Sequence, residues 1–212
     1  EISQSALYHL GDCYLKTGNK DKARSAFASA SRMEFNPVIT EDALFNYAKL
    51  TYELSYSPFN EAIRTFNFYI NQYPTSPRVD EAYNYLVNAY LNTRNYKMAM
   101  ESIEKIKSKD PEIERAYQRV AFFRGLELFT NQRFSDALTV FDKALKFSQY
   151  DPIIHARTLY WLAETYVREN DTETAEAYYE SFLDEPSSFQ TPEYKKVNYS
   201  MGYLEFEREN YS

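Results

Sequence analysis

Two short helical patterns of apolar residues, joined by a polar turn, lie within residues 83–111. The first face holds apolar residues three and four positions apart: Tyr83, Leu86 and Tyr90. The second face follows the polar run 92–95, which has no helical pattern: Ala99, Ile103 and Ile106. Because residues at this spacing share one side of a helix, the segment is predicted to form a helical hairpin. A hairpin this small cannot bury its apolar stripe alone, so further copies are expected along the chain.

The hairpin pattern occurs five times, at intervals of 37 to 39 residues. Each copy has a small residue on its second helix: Ala23, Ala62, Ala99, Ala137 and Ala175. Four residues after each alanine stands a bulky apolar or aromatic residue: Phe27, Phe66, Ile103, Phe141 and Tyr179. The small residue lets the second helix approach the first closely, and the large residue fills the gap one turn later. The pattern therefore predicts a stack of helical hairpins.

This signature resembles the tetratricopeptide repeat (TPR) family over essentially the whole chain. The family places a large residue, Leu-Gly and Tyr on its first helix, and four residues meet that order: Leu7, Leu10, Gly11 and Tyr14. The family also has Ala and Phe on its second helix and a closing Pro, and three residues of this chain match that order: Ala62, Phe66 and Pro74. The period exceeds the family's value of about 34 residues, and longer first helices or turns absorb the difference. The spacing also suits HEAT-like repeats, which the alanine–aromatic signature disfavours.

Helix starts are marked by prolines that follow Ser, Thr or Asp: Ser76-Pro77, Asp110-Pro111, Asp151-Pro152 and Thr191-Pro192. Proline at the first helical position loses no hydrogen bond, and the residue before it can cap the helix, so each pair is expected to begin a repeat. Thr40 is expected to cap a helix beginning near Glu41. Three glycines share one slot of the first helix, where a side chain would push the second helix away: Gly11, Gly125 and Gly202.

The resemblance implies an all-α, right-handed α-solenoid of about five and a half TPR-like helical hairpins, or about eleven helices. We predict a single domain, 1–212, built of these segments: repeats 1–36, 40–74, 77–109, 111–148 and 152–185, and a half repeat 191–212. Residues 210–212 match residues 133–135, where the next helix is capped. We therefore expect an internal fragment of a longer array; the alternative is a natural capping helix at 191–209.

Composition narrows the classes of function. The net charge of −7 and the pI of about 5.0 argue against non-specific nucleic-acid binding, which needs a positive stripe. The single cysteine excludes an internal disulfide and a cysteine zinc site. No run approaches the roughly 20 apolar residues of a membrane span, and no signal peptide is visible. The 21 tyrosines suit a solenoid, where a ring packs between helices and its hydroxyl reaches water.

No catalytic constellation is present in the sequence, so we expect neither an enzyme nor a cofactor or metal site. His9 and His155 are the only histidines and lie about four repeats apart. His155, near Asp151 at a helix start, is expected to make a surface or capping contact. Cys13 neighbours the core positions of the first helix and is expected to be a half-buried thiol. A reactive thiol would need a lowered pKa, which no basic cluster nearby indicates.

The candidate site is the concave groove, which the resemblance places along the first helices. Its middle carries an asparagine ladder that can pair with the backbone of an extended peptide: Asn84, Asn88 and Asn92. Its C-terminal half carries an aromatic and apolar row: Phe122, Leu126, Phe129, Tyr160, Tyr199 and Tyr203. Basic residues flank this row, as in protein-binding hot spots: Arg119, Arg157, Arg168 and Lys196. Two alternatives stay open: the ladder is a solvated helix face, or the aromatic row is core.

These features favour a non-enzymatic protein–protein interaction scaffold that holds a peptide or partner protein in the groove. The first alternative is a structural array that forms homo-oligomers through incomplete ends. The second is the regulatory arm of a larger protein whose active domain lies outside this chain. No repeat has the Lys and Asn pair of the carboxylate clamp, so chaperone-tail binding is not expected. The segment 69–83 resembles bacterial cell-envelope TPR proteins, which implies a periplasmic or cell-envelope location.

Overall fold

Each apolar stripe of the repeat pattern forms an α-helix in the computed structural model of the chain. The structure describes residues 1–54 and 59–210, with side chains through residue 206. These residues form eleven α-helices: α1 (Ile2–Lys16), α2 (Lys20–Ser31), α3 (Pro37–Leu54), α4 (Asn60–Gln72), α5 (Val79–Asn92), α6 (Tyr96–Lys105), α7 (Pro111–Thr130), α8 (Phe134–Leu145), α9 (Pro152–Arg168), α10 (Thr172–Asp184) and α11 (Tyr194–Asn210). A short 3₁₀ helix, Ser188–Gln190, precedes α11. The predicted all-α solenoid of about eleven helices is confirmed.

The helices form two compact units. Unit 1 comprises Glu1–Ser108 and holds the hairpins α1/α2, α3/α4 and α5/α6. Unit 2 comprises Lys109–Ser212 and holds α7/α8, α9/α10 and α11. The prediction that residues 1–212 act as one domain stays a prediction.

In unit 1, every helix packs against the next one along the chain, from α1 to α6. The repeat alanines lie at these contacts and are fully buried: Ala23, Ala62 and Ala99. Their large partners four residues later are equally buried: Phe27, Phe66 and Ile103. The ring of Phe66 also stacks on Tyr85 of α5, with centroids 4.9 Å apart. The small-then-large pattern therefore encodes the contact between the two helices of a hairpin, as the sequence predicts.

Unit 2 repeats this packing. Ala137 and Phe141 on α8, and Ala175 and Tyr179 on α10, are fully buried. The core continues onto α11 through Val197, which is fully buried with the aromatic cluster of α9 and α10. The inward face of α11 is thereby fixed against the rest of the unit.

Glycine is sterically required at two of the three positions that share one place in the first helix. A Cβ added at Gly11 would lie 2.8 Å from the ring of Phe27, and one at Gly125 would lie 2.4 Å from the ring of Phe141. A Cβ at Gly202 would meet nothing within 4 Å, so the expected reason is wrong there. The cause is that no described helix packs against that side of α11.

Helix starts follow the sequence prediction only in part. Asp110 and Asp151 cap α7 and α9 by accepting hydrogen bonds from the backbone N–H groups three residues later, at 2.9 and 3.1 Å. By contrast, α5 begins two residues after Pro77 and α11 two residues after Pro192, because turns follow both prolines.

Thr40 does not cap a helix near Glu41, because it lies inside α3. Its hydroxyl donates instead to the carbonyl oxygen of Asn36 at 2.9 Å. The cap is supplied by Asn36, whose Oδ1 accepts from the N–H of Val38 at 3.0 Å. The helix therefore starts one turn earlier than the sequence pattern suggests. The predicted long turn of the second repeat, 55–59, lies mostly outside the described residues.

Four hairpin turns share one geometry. Each contains one residue with a positive φ, and these residues occupy the same place in their repeats: Gly18, Arg94, Gln132 and Asn170. In three of the turns, a side-chain oxygen then caps the second helix: Asn19, Asn95 and Asp171. The left-handed residue turns the chain back on itself within three or four residues, which keeps the two helices of a hairpin in contact.

Candidate functional site

The asparagine ladder lies on α5 in unit 1. Asn88 and Asn92 are exposed, whereas Asn84 is half-buried. The Oδ1 atom of Asn84 is buried and has no hydrogen-bond donor among the described residues. Exposed amides are compatible both with peptide pairing and with a solvated helix face. The role of the ladder therefore stays a prediction.

An ion-pair cluster not anticipated from the sequence joins the first helices of unit 1. The carboxylate of Asp42 on α3 accepts hydrogen bonds from the hydroxyl of Tyr8 and from Asn46, the latter at 2.9 Å. It also pairs with Arg78, whose guanidinium lies 5.0 Å from the ring centroid of Phe45. Burial and the Asp42 carboxylate raise the pKa of Tyr8 well above its usual range, so Tyr8 remains a neutral donor. The cluster ties α1, α3 and the start of α5 together.

The predicted aromatic row of unit 2 divides into buried and exposed members. Phe122 and Tyr160, expected in the groove, are buried instead, at 0% and 4% exposure. Phe122 packs 5.2 Å from the ring of Phe123, and Tyr160 packs 5.5 Å from the ring of Phe182. The alternative considered from the sequence, that the row belongs to the core, describes these two side chains.

Arg157, also predicted in the groove, makes an internal clamp. Its guanidinium lies 4.9 Å from the ring centroid of Phe122. Its Nε atom donates to both carboxylate oxygens of Glu193, at 3.0 and 3.1 Å, and Trp161 donates to the same carboxylate at 3.1 Å. Glu193 is 3% exposed. This arginine therefore neutralises a buried carboxylate and links α9 to the segment before α11.

Three other predicted residues on α7 are less buried than Phe122. Arg119 is exposed, and Leu126 and Phe129 are half-buried. The ring of Phe129 packs edge-on against Trp161, with centroids 5.1 Å apart. Leu126 and Phe129 therefore present part of their surface to solvent.

Tyr199 and Tyr203 lie together at a pocket between α9 and α11. The pocket has a volume of about 280 Å³ and is lined by residues of three helices: Glu164, Val167, Arg168, Tyr179, Tyr199, Ser200 and Tyr203. Tyr199 is 80% exposed and Tyr203 49% exposed. They are one helical turn apart, so both rings lie on the same side of α11. Of the predicted aromatic row, these two residues are the ones that the structure brings together at this pocket, with the predicted flanking residue Arg168.

A carboxylate is part of the lining of this pocket. The Oε1 atom of Glu164 accepts hydrogen bonds from the hydroxyls of Tyr179, at 2.8 Å, and Ser200, at 2.9 Å. Burial, and then the charge of Glu164 and its hydrogen bond, raise the pKa of Tyr179 far above its usual range. Tyr179 is thus a neutral donor. Among the described side chains no Lys or Arg forms an ion pair with Glu164, including Arg168 one turn along α9.

Two other hollows lie in unit 1, and neither contains a predicted site residue. One, of about 410 Å³, lies between α1 and α2 and includes Leu7, Leu10 and Tyr14. The other, of about 470 Å³, lies among α2, α3 and α4 and includes Tyr47 and Phe68.

Little other chemistry is suggested by the described residues. No group of three or more His, Cys, Asp or Glu side chains among them could hold a metal ion. None of the helices in the described part of the chain is long and apolar enough to cross a membrane. Cys13 is exposed, rather than half-buried as expected. His155 is half-buried, with its Nε2 atom 3.5 Å from a carboxylate oxygen of Glu185.

Consecutive helical hairpins with a pocket between first helices define a class of protein-interaction scaffolds, and the fold is typical of non-enzymatic members. Three tetratricopeptide-repeat family models match residues 5–31, 80–112 and 124–188. The chain belongs to the tetratricopeptide-repeat family.

Several solved structures are similar over most of the chain. A crystal structure of MamA protein is 19% identical, covers 93% of this chain and 95% of its own, and has a TM-score of 0.49. A MamA double mutant from RS-1 is 18% identical, with coverages of 89% and 97% and a TM-score of 0.48. MamA residues 41 to the end, from Desulfovibrio magneticus RS-1, are 17% identical, with coverages of 90% and 99% and a TM-score of 0.42. No protein with curated function matches the chain.

Proposed function

We propose that this chain is a scaffold that binds a peptide segment of a partner protein in the pocket between α9 and α11. The observation that carries the proposal is the exposure of two tyrosine rings, Tyr199 and Tyr203, on one side of α11 at this pocket. When a partner covers aromatic rings that are exposed to water in the free protein, binding is favoured by about 25 cal/mol per Å² of apolar surface buried. Tyrosine is also enriched among the residues that dominate protein interfaces.

The exposure of these rings is not a consequence of a loosely placed helix. Val197 and Leu204, on the other side of α11, are 0% and 3% exposed and pack with the core of unit 2. The rotation of α11 about its axis is therefore set by its buried face. Tyr199 and Tyr203 are at the first-helix positions that the family resemblance assigns to the groove, which supports a binding role.

The proposal is tested with peptides selected from a displayed 12-residue library on the immobilised chain. Their dissociation constants are then measured by fluorescence polarisation for the wild type and for Tyr199→Ala/Tyr203→Ala. We expect binding to weaken at least about tenfold, since truncating an interface anchor costs about 1–2 kcal/mol or more. The matched control is Phe35→Ala/Phe189→Ala, which removes two rings of similar exposure, 66% and 65%, outside this pocket. The control should bind like the wild type.

Two results would contradict the proposal. In one, selected peptides bind the Tyr199→Ala/Tyr203→Ala variant and the wild type equally. In the other, the selection yields no specific peptide, while sedimentation shows oligomers that the same variant abolishes; self-association would then explain the exposed rings. Helical circular dichroism of each variant checks that a lost affinity does not reflect unfolding.

The cell-envelope location is a separate part of the proposal. It is supported by the resemblance of segment 69–83 and is tested by fractionating cells that express the natural full-length protein. Recovery of the protein only with cytoplasmic markers would rule this location out.

A further inference from the structure

We propose that the pocket between α9 and α11 receives a basic side chain, arginine or lysine, of the bound partner segment, with Glu164 as its counter-ion. This inference rests on the proposed function and adds the chemistry of the partner. Its three supports are the uncompensated carboxylate of Glu164, the aromatic rings beside it and the small size of the pocket.

Among the residues whose side chains the structure describes, no cation pairs with the Glu164 carboxylate. The hydroxyls of Tyr179 and Ser200, which donate hydrogen bonds to Glu164, are neutral groups. Two other carboxylates in the chain are matched by arginine: Asp42 by Arg78, and Glu193 by Arg157. A half-buried carboxylate lies in a medium less polar than water, where its attraction for a cation is strengthened. The pocket thus favours a positively charged group beside Glu164.

Tyr199 and Tyr203 supply suitable walls for that group. The faces of tyrosine rings carry negative potential and attract ammonium and guanidinium groups within about 6 Å of the ring centroid. The pocket volume of about 280 Å³ lies below the roughly 300–1,000 Å³ of sites for whole small molecules. It suits one long side chain whose polar end reaches Glu164 and whose methylene groups lie against the rings.

Arg168 raises the opposite possibility, an anionic ligand. It is exposed, however, whereas Glu164 is half-buried. Water and salt screen an exposed charge more strongly than a partly buried one. The field inside the pocket is therefore dominated by Glu164, and Arg168 acts as a weak competitor for the same carboxylate.

The test is an NMR titration of the whole chain with N-acetyl-arginine amide. N-acetyl-citrulline amide, of nearly the same shape but neutral, is the matched ligand, and N-acetyl-aspartate amide is the anionic one. The readout is the set of Tyr199 and Tyr203 ring resonances. We expect saturable shifts with the arginine ligand at least fivefold tighter than with citrulline, and no saturation with aspartate.

Three variants make the result specific. Glu164→Gln keeps an acceptor for Tyr179 and Ser200 but removes the charge, so the preference for arginine over citrulline should disappear. Arg168→Gln should preserve or increase that preference. Tyr199→Leu keeps apolar surface at an exposed position but removes the ring, so arginine binding should weaken several-fold even if Glu164→Gln proves unstable.

Equal binding of arginine and citrulline, or a preference that survives Glu164→Gln, would overturn the inference. Aspartate binding that requires Arg168 would overturn it in favour of an anionic side chain. The two proposals fail differently. If selected peptides lose affinity for Tyr199→Ala/Tyr203→Ala but keep full affinity for Glu164→Gln, the pocket binds its partner without a basic anchor, and only this inference falls.

Discussion

Substituting alanine at Gly125 and at Gly202 separates two effects of an added methyl group inside a helix: the gain in helix propensity and the steric clash with a neighbouring helix. Both residues lie in the interior of an α-helix, α7 or α11, so each substitution gains the helix propensity of alanine, about 1 kcal/mol. At Gly202 the new methyl group meets nothing, and this gain should appear as increased stability. At Gly125 it would lie 2.4 to 2.8 Å from three ring atoms of Phe141.

The structure sets the size of the penalty at Gly125. Ordinary contact begins at 3.4 Å, so the ring or the helix must move by about 1 Å. Phe141 is fully buried, which leaves its ring no open space to enter. Overpacking of this kind typically costs about 1–3 kcal/mol. Gly125→Ala should therefore be less stable than Gly202→Ala by about 1–3 kcal/mol, because the propensity term is common to both.

Urea denaturation followed by circular dichroism at 222 nm measures the difference. Gly11→Ala should fall between the two, since its closest approach, to Phe27, is 2.8 Å. If Gly125→Ala were as stable as Gly202→Ala, the close approach of α7 and α8 through this glycine would be refuted.

Three further predictions concern other parts of the chain. Gln132→Gly should stabilise the protein by up to about 1 kcal/mol in urea denaturation, because Gln132 has a φ of 58°; an unchanged or lower midpoint would contradict a left-handed residue in this turn. Arg157→Met should cost about 3–5 kcal/mol, because it leaves the buried Glu193 carboxylate without its cation, and adding Glu193→Gln should recover part of the loss; a cost under about 1 kcal/mol would refute the clamp. Burial raises the pKa of Tyr69 to about 12. The contribution of Tyr69 to stability is therefore present below pH 10 and is lost as the pH rises from 10 towards 12. If the phenolate absorbance at 295 nm developed completely near pH 10, the raised pKa of Tyr69 would be excluded.

The hairpin register could be predicted from the sequence, whereas some helix starts could not. Ala99 and Ile103 mark a contact between two helices, and such a contact requires a small and a large residue at a fixed spacing. The start of α3 depends instead on one local hydrogen bond, from the N–H of Val38 to Asn36. Thr40, a good capping residue by type, was equally plausible from the sequence. Hydrophobic periodicity therefore shows which face of a helix is buried, but it does not show at which residue the helix begins.

The sequence indicated which helix positions form the candidate site, but not which of their side chains are buried. Phe122, Tyr160 and Tyr199 occupy the same first-helix position, yet the first two are buried and the third is exposed. Arg157 of α9 covers Phe122, and the hydroxyl of Tyr160 lies 3.5 Å from Ser200 of α11. No described helix packs beyond α11 to cover Tyr199. The burial of this position depends on the neighbouring helix, and the repeat pattern of a single helix does not contain that information.

Tyr179 and Ser200 were missed as members of the pocket. Tyr179 fits the core pattern of its repeat, and it does serve the core with its ring while its hydroxyl reaches Glu164. Ser200 has no distinguishing signal in a single sequence. Only the packing of α9, α10 and α11 brings these groups to one carboxylate.

The two ion-pair clusters have opposite polarity. In unit 1 the acid, Asp42, lies on the earlier helix and the base, Arg78, lies at the start of the later one; in unit 2 Arg157 comes first and Glu193 second. A hairpin carrying Asp42, if grafted in front of the segment that carries Glu193, would bring two carboxylates together, and the reverse graft would join two guanidinium groups. Like charges at such a contact penalise the wrong neighbour. The order of the charges thus determines which hairpins can be neighbours. A rearrangement of the repeats would have to move both members of an ion pair together.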